Sequence, residues 1–335
     1  MKKKLVLINS DSSIDENNVV IVIDWLDYYK QGWIKINNTE KLVVLNINQT
    51  DLSDDIEFKI LPQKISFKYP EDILSYWCRN GKLQIASEST LQLNINHDYS
   101  INYLSKEFKV VSEFLLNRIE AIENRIGRQN DYLINKYQTL EIAKVLGLNI
   151  PRTKIIFSVN ELRKFKSNVG RIITKALNVS SISEGEYLYT KGTVEVTEAE
   201  ISDLKTIFLP SLFQEFIESK FEIRVFYLRS HFYSTGIISF GSQSADSRDI
   251  DPRVPPRFVP IALPANLKLK LSKLMNRLNL DSGSIDLLYS NSNEFVLLEI
   301  NPMGQFSFYS YICNYYVEKI IAIELCKKTR NPGLD

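Results

Sequence analysis

Two apolar runs around a polar turn, Ser284–Gln305 (SIDLLYSNSNEFVLLEINPMGQ), constrain this chain more than any other stretch. The Asn and Ser residues between the runs are turn formers, so the stretch reads as a β-hairpin. With the turn centred between Ser292 and Asn293, Asp286 falls opposite Glu299 and Ser284 opposite Asn301. Side chains alternate along a strand. Asp286, Glu299 and Asn301 therefore share one face, and Ile285, Leu287, Leu298 and Ile300 take the other. Opposed residues of an antiparallel pair lie about 4.5–5.5 Å apart at Cβ, where like charges repel. A cation between the two acids resolves that conflict. Carboxylate and amide oxygens without His or Cys suit a hard ion, Mg²⁺ before Zn²⁺. A solvated acidic pair on an edge hairpin has the same spacing, so the remaining sequence has to decide.

At 335 residues the chain exceeds the size at which single cores tend to split, which predicts two or three subdomains. A composition of 44% hydrophobic and 24% charged residues is that of a globular protein. The net charge of +1 supplies no bulk attraction to nucleic acid or membrane, and neither is expected as a partner. Cys78, Cys313 and Cys326 form no paired spacing, which fits a reducing compartment. The apolar run Leu5–Ile8 behind a basic start is too short for a signal peptide. No run approaches the roughly 18 apolar residues of a spanning helix. A cytoplasmic protein is expected.

In chain order, Lys4–Ile8, Lys41–Ile47 and Phe58–Ile65 read as strands. Val19–Tyr29, Asp72–Trp77 and Ser105–Glu123 read as helices, the last with Phe108, Val111, Leu115, Ile119 and Ile122 on one stripe. This alternation predicts a small α/β layer over residues 1–125. Asn130–Ile150 reads as a helix stopped by Gly147, and Val159–Phe165 as another. Arg171–Ala176 is a strand with one lysine, and Leu212–Ile217 a strand with a polar end. Glu186–Val196 alternates around a Lys-Gly turn and reads as a hairpin. Phe221–Leu228 and Phe232–Ser239 form another over Arg229-Ser230. A Pro- and Arg-rich loop spans Ser242–Pro264, Leu267–Leu280 is helical, and a tyrosine-rich helix runs from about Ser307 to Lys327. The tyrosines at 309, 311, 315 and 316 are expected to serve packing.

A helix with a lysine, a strand with a lysine, an acidic strand end, an arginine-bearing hairpin and D…E-x-N before a glycine follow in this order. The set resembles the ATP-grasp superfamily over about Asn130–Lys327, most specifically in E-I-N-P-M-G-Q. That resemblance implies mixed α/β and α+β architecture. It divides the chain into an N-terminal pre-ATP-grasp α/β domain (1–125), a central lid (126–212) and a C-terminal domain (213–330). The last two would clamp ATP. It implies Asp286, Glu299 and Asn301 as Mg²⁺ ligands, with Lys175 and Lys136 reaching the phosphates. It implies Gln214, Glu215, Phe216 and Ile217 as the adenine hinge and Glu222 as the ribose acceptor. Arg224, two residues on along the same strand face, points at the same cleft. Arg248 corresponds to the arginine facing the transferred phosphoryl.

Within that superfamily, LLEINPMGQFSFY resembles the peptide maturases that make graspetides, the microviridin-type ligases. DSSIDENNVVIVIDWLDYYKQGWIKIN resembles the N-terminal signature of their grasp-with-spasm subset. Three departures stand out. Lys35 replaces a frequent arginine, Asp246-Ser247-Arg248 replaces D-W-R, and the lid after Lys175 lacks a glycine-rich phosphate cradle. The resemblance also implies a leader-binding hairpin, carried to Tyr187, Tyr189, Lys191 and Val194, and a homodimer. The implied reaction joins an Asp or Glu carboxylate of a precursor peptide to a Ser or Thr hydroxyl, or a Lys amine, through an acyl phosphate. Asp246 and Asp249 are candidate bases by position. An amide ligase adding amino acids to a protein tail or small molecule shares every ATP and metal residue. A non-catalytic ATP- and peptide-binding module is the third reading.

Overall fold

The run LVLINS has no polar face, and the strand it forms is covered on both sides. In β1 (Leu5–Ser10), Val6 through Ser10 are all fully buried. The computed structural model describes residues 4–11, 17–48, 55–87, 98–176, 181–184, 187–190, 192–239 and 253–328. They fall into two units, Met1–Tyr132 with Gln305–Asp335, and Leu133–Gly304.

In the first unit, α1 (Asn17–Tyr28) leads from β1 to a parallel neighbour, β2 (Trp33–Asn37). A meander follows through β3 (Lys41–Asn48), β4 (Asp55–Leu61) and β5 (Ile65–Tyr69). The chain then returns as β6 (Ile73–Arg79), parallel to β1 on its other side. β7 (Gln84–Ser87) joins β3, and α2 (Asp98–Glu120) precedes β8 (Arg125–Ile126). The result is a parallel sheet β2-β1-β6-β8 beside a mixed sheet β5-β4-β3-β7. One core joins Leu7 and Tyr76 with Phe58, Phe67, Leu115 and Ile119.

Two sequence expectations fail here. Asp72–Trp77 is not a helix; Ile73–Arg79 is a central parallel strand, buried on both faces. Such strands are apolar without alternation, so periodicity does not separate them from a buried helix. Phe58–Ile65 is not one strand either. Pro62 cannot donate to a ladder and Lys64 takes a φ of 59°, so the chain turns between β4 and β5.

The second unit starts with α3 (Lys136–Val145), shorter than the expected Asn130–Ile150 because Asn135 caps it. Asn135 Oδ1 accepts from the N–H groups of Tyr137 and Gln138. Gly147, at a φ of 73°, ends the helical stretch. β9 (Thr153–Ser158), α4 (Val159–Val169) and β10 (Ile172–Lys175) follow. Next comes a hairpin of β11 (Ser181–Glu184) and β12 (Tyr187–Thr190). β13 (Val194–Glu195), α5 (Glu198–Asp203) and β14 (Ile207–Glu215) complete the sheet β13-β10-β14-β9. The expected hairpin over Glu186–Val196 is therefore displaced. Residues 187–190 pair backwards with 181–184, and Val194 pairs with Thr174 of β10.

The last sheet has the order β17-β16-β15-β18-β19, antiparallel throughout. It is built from β15 (Ser219–Leu228), β16 (His231–Ile238), β17 (Arg257–Pro260), β18 (Ser282–Ser290) and β19 (Phe295–Asn301). The β15–β16 turn is the expected Arg229-Ser230, with both φ values positive, as two-residue hairpin turns require. α6 (Ala265–Arg277) packs Leu271, Leu274 and Met275 onto Val225, Tyr227, Ile285 and Leu287.

The chain then rejoins the first unit. The expected single C-terminal helix is two, α7 (Ser307–Ile312) and α8 (Val317–Cys326), broken where Asn314 and Tyr316 take left-handed φ values. Asn18 Oδ1 accepts from the N–H groups of Phe306 and Ser307, and the Lys319 ammonium lies 5.1 Å from the Trp25 ring centroid. Tyr311 is exposed over 83% of its surface, so it does not serve the packing role expected of it.

Candidate active site

The hairpin register places the acids. Asp286 lies opposite Glu299 and Ser284 opposite Asn301, as the sequence suggests. The route to that register differs from a simple mirror. The turn closes one residue early, pairing Tyr289 with Phe295, with Asn293 at a φ of 65°. A β-bulge then leaves Leu298 without an opposite residue and restores the pairing of the acids. Because of the bulge, Leu297 rather than Leu298 joins the core with Ile285, Leu287 and Ile300.

Across the sheet, Arg224 on β15, Asp286 on β18 and Glu299 on β19 form one cross-strand row. Arg224 Nη1 donates to both oxygens of Asp286. Lys175, at the end of β10, and Lys136, at the first residue of α3, each place Nζ 3.4 Å from Glu299 Oε2. A lysine at a helix N-terminus opposes the helix dipole, and Lys136 is held there beside a carboxylate. Burial pushes the Asp286 carboxyl above its usual range, against the pull of Arg224, and the Glu299 charge adds to the rise. Burial also acts upward on Glu299, but Lys175 and Lys136 together hold it below its usual value.

Asn301 Oδ1 accepts from the Met303 N–H at 3.0 Å, and the Gly304 N–H closes the same turn on Asn301 O. A Cβ on Gly304 would fall 2.1 Å from Ser284 Oγ, so close approach accounts for this glycine. Ser284 itself is buried, and its hydroxyl has no hydrogen-bond partner among the described residues. Among those residues there is no group of three His, Cys, Asp or Glu side chains able to hold a metal. The oxygen donors at this point are two carboxylates and the Asn301 amide, whose oxygen keeps a second lone pair.

The hinge candidates lie at the end of β14. Gln214 is buried, and its Nε2 donates to Thr153 Oγ1 at 2.9 Å. The Glu215 carboxylate is engaged by Arg152, whose Nε and Nη2 reach Oε2 and Oε1 at 3.0 and 2.9 Å, and this holds Glu215 below its usual carboxylate range. The Glu215 N–H donates to Arg152 O and the Phe216 N–H to Arg171 O. The Arg171 guanidinium lies 3.9 Å from the Phe216 ring centroid and forks onto Glu195. Two arginines thus bracket the hinge, while the Ile217 N–H donates to no described backbone acceptor. The sequence gives no sign of either bracket, because the Arg152–Glu215 pair spans 63 positions. Glu222 lies two residues before Arg224 on the same strand face. Tyr187 and Tyr189 belong to β12 and Val194 to β13. Lys191, Asp246, Arg248 and Asp249 lie outside the described residues.

No protein-family profile matches the chain, and no curated protein sequence matches it. Solved structures do. The macrocyclase MdnC from Microcystis aeruginosa MRC, bound with precursor peptide MdnA, is 20% identical with a TM-score of 0.72, covering 96% of this chain and 99% of that one. A Chryseobacterium gregarium RiPP-associated ATP-grasp ligase, in complex with ADP and a leader and core peptide, is 21% identical with a TM-score of 0.75, over 99% and 100%. The ATP-grasp ligase PsnB, complexed with minimal precursor, Mg and ADP, is 16% identical with a TM-score of 0.66, over 97% and 97%. The described residues have the ATP-grasp fold of these ligases.

Proposed function

We propose that this chain is an ATP-grasp peptide ligase of the graspetide type, which closes side-chain rings on a ribosomally made precursor peptide. The observation that carries the reading is the row Arg224–Asp286–Glu299 across three strands, met by Lys175 and Lys136. Three cations stand against two carboxylates, an excess of one positive charge that suits a polyphosphate arriving with its own metal. The ATP-grasp fold supports the reading, since the three solved ligases carry precursor peptides and two of them carry ADP.

The oxygen-only donor set fits Mg²⁺, which Asp286, Glu299 and Asn301 would hold. Bound there, the ion neutralises charge on the phosphates. Lys136, Lys175 and Arg224 surround the γ-phosphoryl as its negative charge spreads, and Arg248 is assigned to the same group. Glu222 takes a ribose hydroxyl, and the backbone of Gln214–Ile217 reads adenine. A peptide Asp or Glu carboxylate attacks the γ-phosphorus and ADP leaves. A Ser or Thr hydroxyl, or a Lys amine, then attacks the acyl carbon. It loses its proton, phosphate departs, and an ω-ester or ω-amide remains. Tyr187, Tyr189, Lys191 and Val194 are assigned to the leader. The three-part division at 1–125, 126–212 and 213–330, a homodimer and a cytoplasmic location complete the proposal. No helix among the described residues is long and apolar enough to cross a membrane.

Mass spectrometry tests the reading on a short Thr- and Glu/Asp-rich peptide encoded beside this gene, incubated with the protein, ATP and Mg²⁺. Loss of one water per new bond with matching ADP release is the expected result, and the rings are base-labile where they are esters. ADP release with amino acids added to another acceptor, or no ADP release at all, overturns it. A second measurement addresses the hinge. Arg152→Gln frees the Glu215 carboxylate without touching the phosphate groups. It is expected to raise KM for ATP about tenfold while leaving kcat nearly unchanged. A fall in kcat at unchanged KM would place Arg152 in another role.

A further inference from the structure

Past the end of β14 the chain is held by one side chain on both sides of Ile217. The Glu215 N–H donates to Arg152 O and the Phe216 N–H to Arg171 O, whereas the Ile217 N–H, next in line, donates to no described backbone acceptor. The Arg171 guanidinium lies 3.9 Å from the Phe216 ring centroid, and its Nη1 is 3.7 Å from Glu218 Oε1. The same group forks onto Glu195 of β13, Nε to Oε1 at 2.7 Å and Nη2 to Oε2 at 2.6 Å. Arginine suits this position, because its planar group can stack on a ring while its fork engages a carboxylate. Folding stability does not account for the arrangement. The Arg171 side chain is 46% exposed, Glu195 37% and Glu218 61%, and ion pairs that exposed contribute little. What the contacts do fix is the backbone from Phe216 to Glu218.

We propose that Arg171 is a positioning residue for base selection: by holding Phe216 and Glu218 it fixes the Ile217 N–H as a donor that tells adenine from guanine. The inference rests on the reading of Gln214–Ile217 as the nucleotide hinge. Adenine presents an acceptor at N1, where guanine presents an N–H. A fixed N–H donor pairs with the first and meets the second donor to donor, which leaves two desolvated groups unpaired. A donor free to swing aside tolerates either base. Loosening the hinge therefore costs selectivity between bases more than it costs affinity for the triphosphate, which Lys136 and Lys175 are assigned to hold. Arg171 and Arg152 then have separable roles. Arg152 braces Glu215, ahead of the open N–H, whereas Arg171 holds the residues on either side of it.

Calorimetric titration of the full chain with the β,γ-imido analogues of ATP and GTP, in the presence of Mg²⁺, tests it. Wild type is expected to bind the adenine analogue at least about 100-fold more tightly than the guanine analogue. In Arg171→Gln that ratio is expected to fall about tenfold, with a melting temperature close to wild type. Arg171→Lys keeps the charge but loses the fork and the planar stack, so its ratio is expected to fall as well. Phe216→Leu removes the ring and leaves the backbone groups in place, and it repeats the test without touching the ion pairs. The ratio is the decisive quantity, because a general structural defect lowers both affinities by the same factor. A ratio that stays at the wild-type value in Arg171→Gln and Phe216→Leu overturns the role of Arg171 and leaves the hinge reading standing. A wild type that binds the two analogues equally, or binds neither, overturns both.

Discussion

Glu299→Gln is expected to lower ADP release by about 10²–10³-fold, the scale on which single charge-stabilising groups act in acyl and phosphoryl transfer. The substitution keeps the shape of the side chain and removes its charge. Glu299 is the point where the lysine of β10 and the lysine at the start of α3 converge, each at 3.4 Å. With the charge gone, both ammonium groups lose their fixed partner, and the proposed metal site keeps one carboxylate instead of two. The loss is therefore expected mainly in kcat, together with a higher Mg²⁺ concentration for half-maximal rate. Glu299 is itself partly exposed, so the fold is expected to be little affected, and the melting temperature separates an inactive folded protein from an unfolded one. Asp286→Asn is expected to behave alike. If both variants kept full Mg²⁺-dependent ADP release, the assignment of this face as the phosphate and metal site would be wrong.

What the sequence could reveal of this site depended on range. Asp286 and Glu299 are joined by a short turn, so strand alternation and turn chemistry suffice to oppose them. The early turn and the Leu298 bulge escaped, and only their cancellation left the register right; the core position Leu297 shows the cost. Lys136 and Lys175 enter only through the resemblance, by their order along the chain, and their convergence on Glu299 is a long-range contact that no local pattern shows. The brackets on the proposed hinge, Arg152 on Glu215 and Arg171 over Phe216, carry no sequence signal, because each pairs residues far apart along the chain. The β6 error has a separate cause. A strand buried on both faces loses the alternation that would identify it, and Ile73–Arg79 is such a strand.

Arg224→Met is expected to destabilise the protein at neutral pH by about 1–3 kcal/mol, the scale of a hydrogen bond to a charged group, because the pair it breaks is partly buried. The reason lies in what stays behind. Asp286 already sits above its usual carboxylate range because of burial, with Arg224 the chief influence opposing it. Without the guanidinium, a charged Asp286 faces Glu299 across the strand pair with less compensation, and its folded-state pKa rises further. A carboxyl whose folded pKa exceeds its unfolded pKa binds protons more tightly when folded, so stability falls as pH rises through that window. In chelator-treated protein, the gap between wild type and Arg224→Met is therefore expected to narrow as pH falls below the folded pKa and to be full above it. Denaturant unfolding at several pH values reads this directly. A gap independent of pH would mean that Arg224 contributes by packing alone. The double variant Arg224→Met/Asp286→Leu removes both charges together, and apolar replacements of whole ion pairs are often neutral or stabilising. It is expected to recover most of the lost stability while remaining unable to turn over ATP. Recovery of stability without activity would establish that this row of charges is kept for the phosphate it faces, not for the fold that holds it.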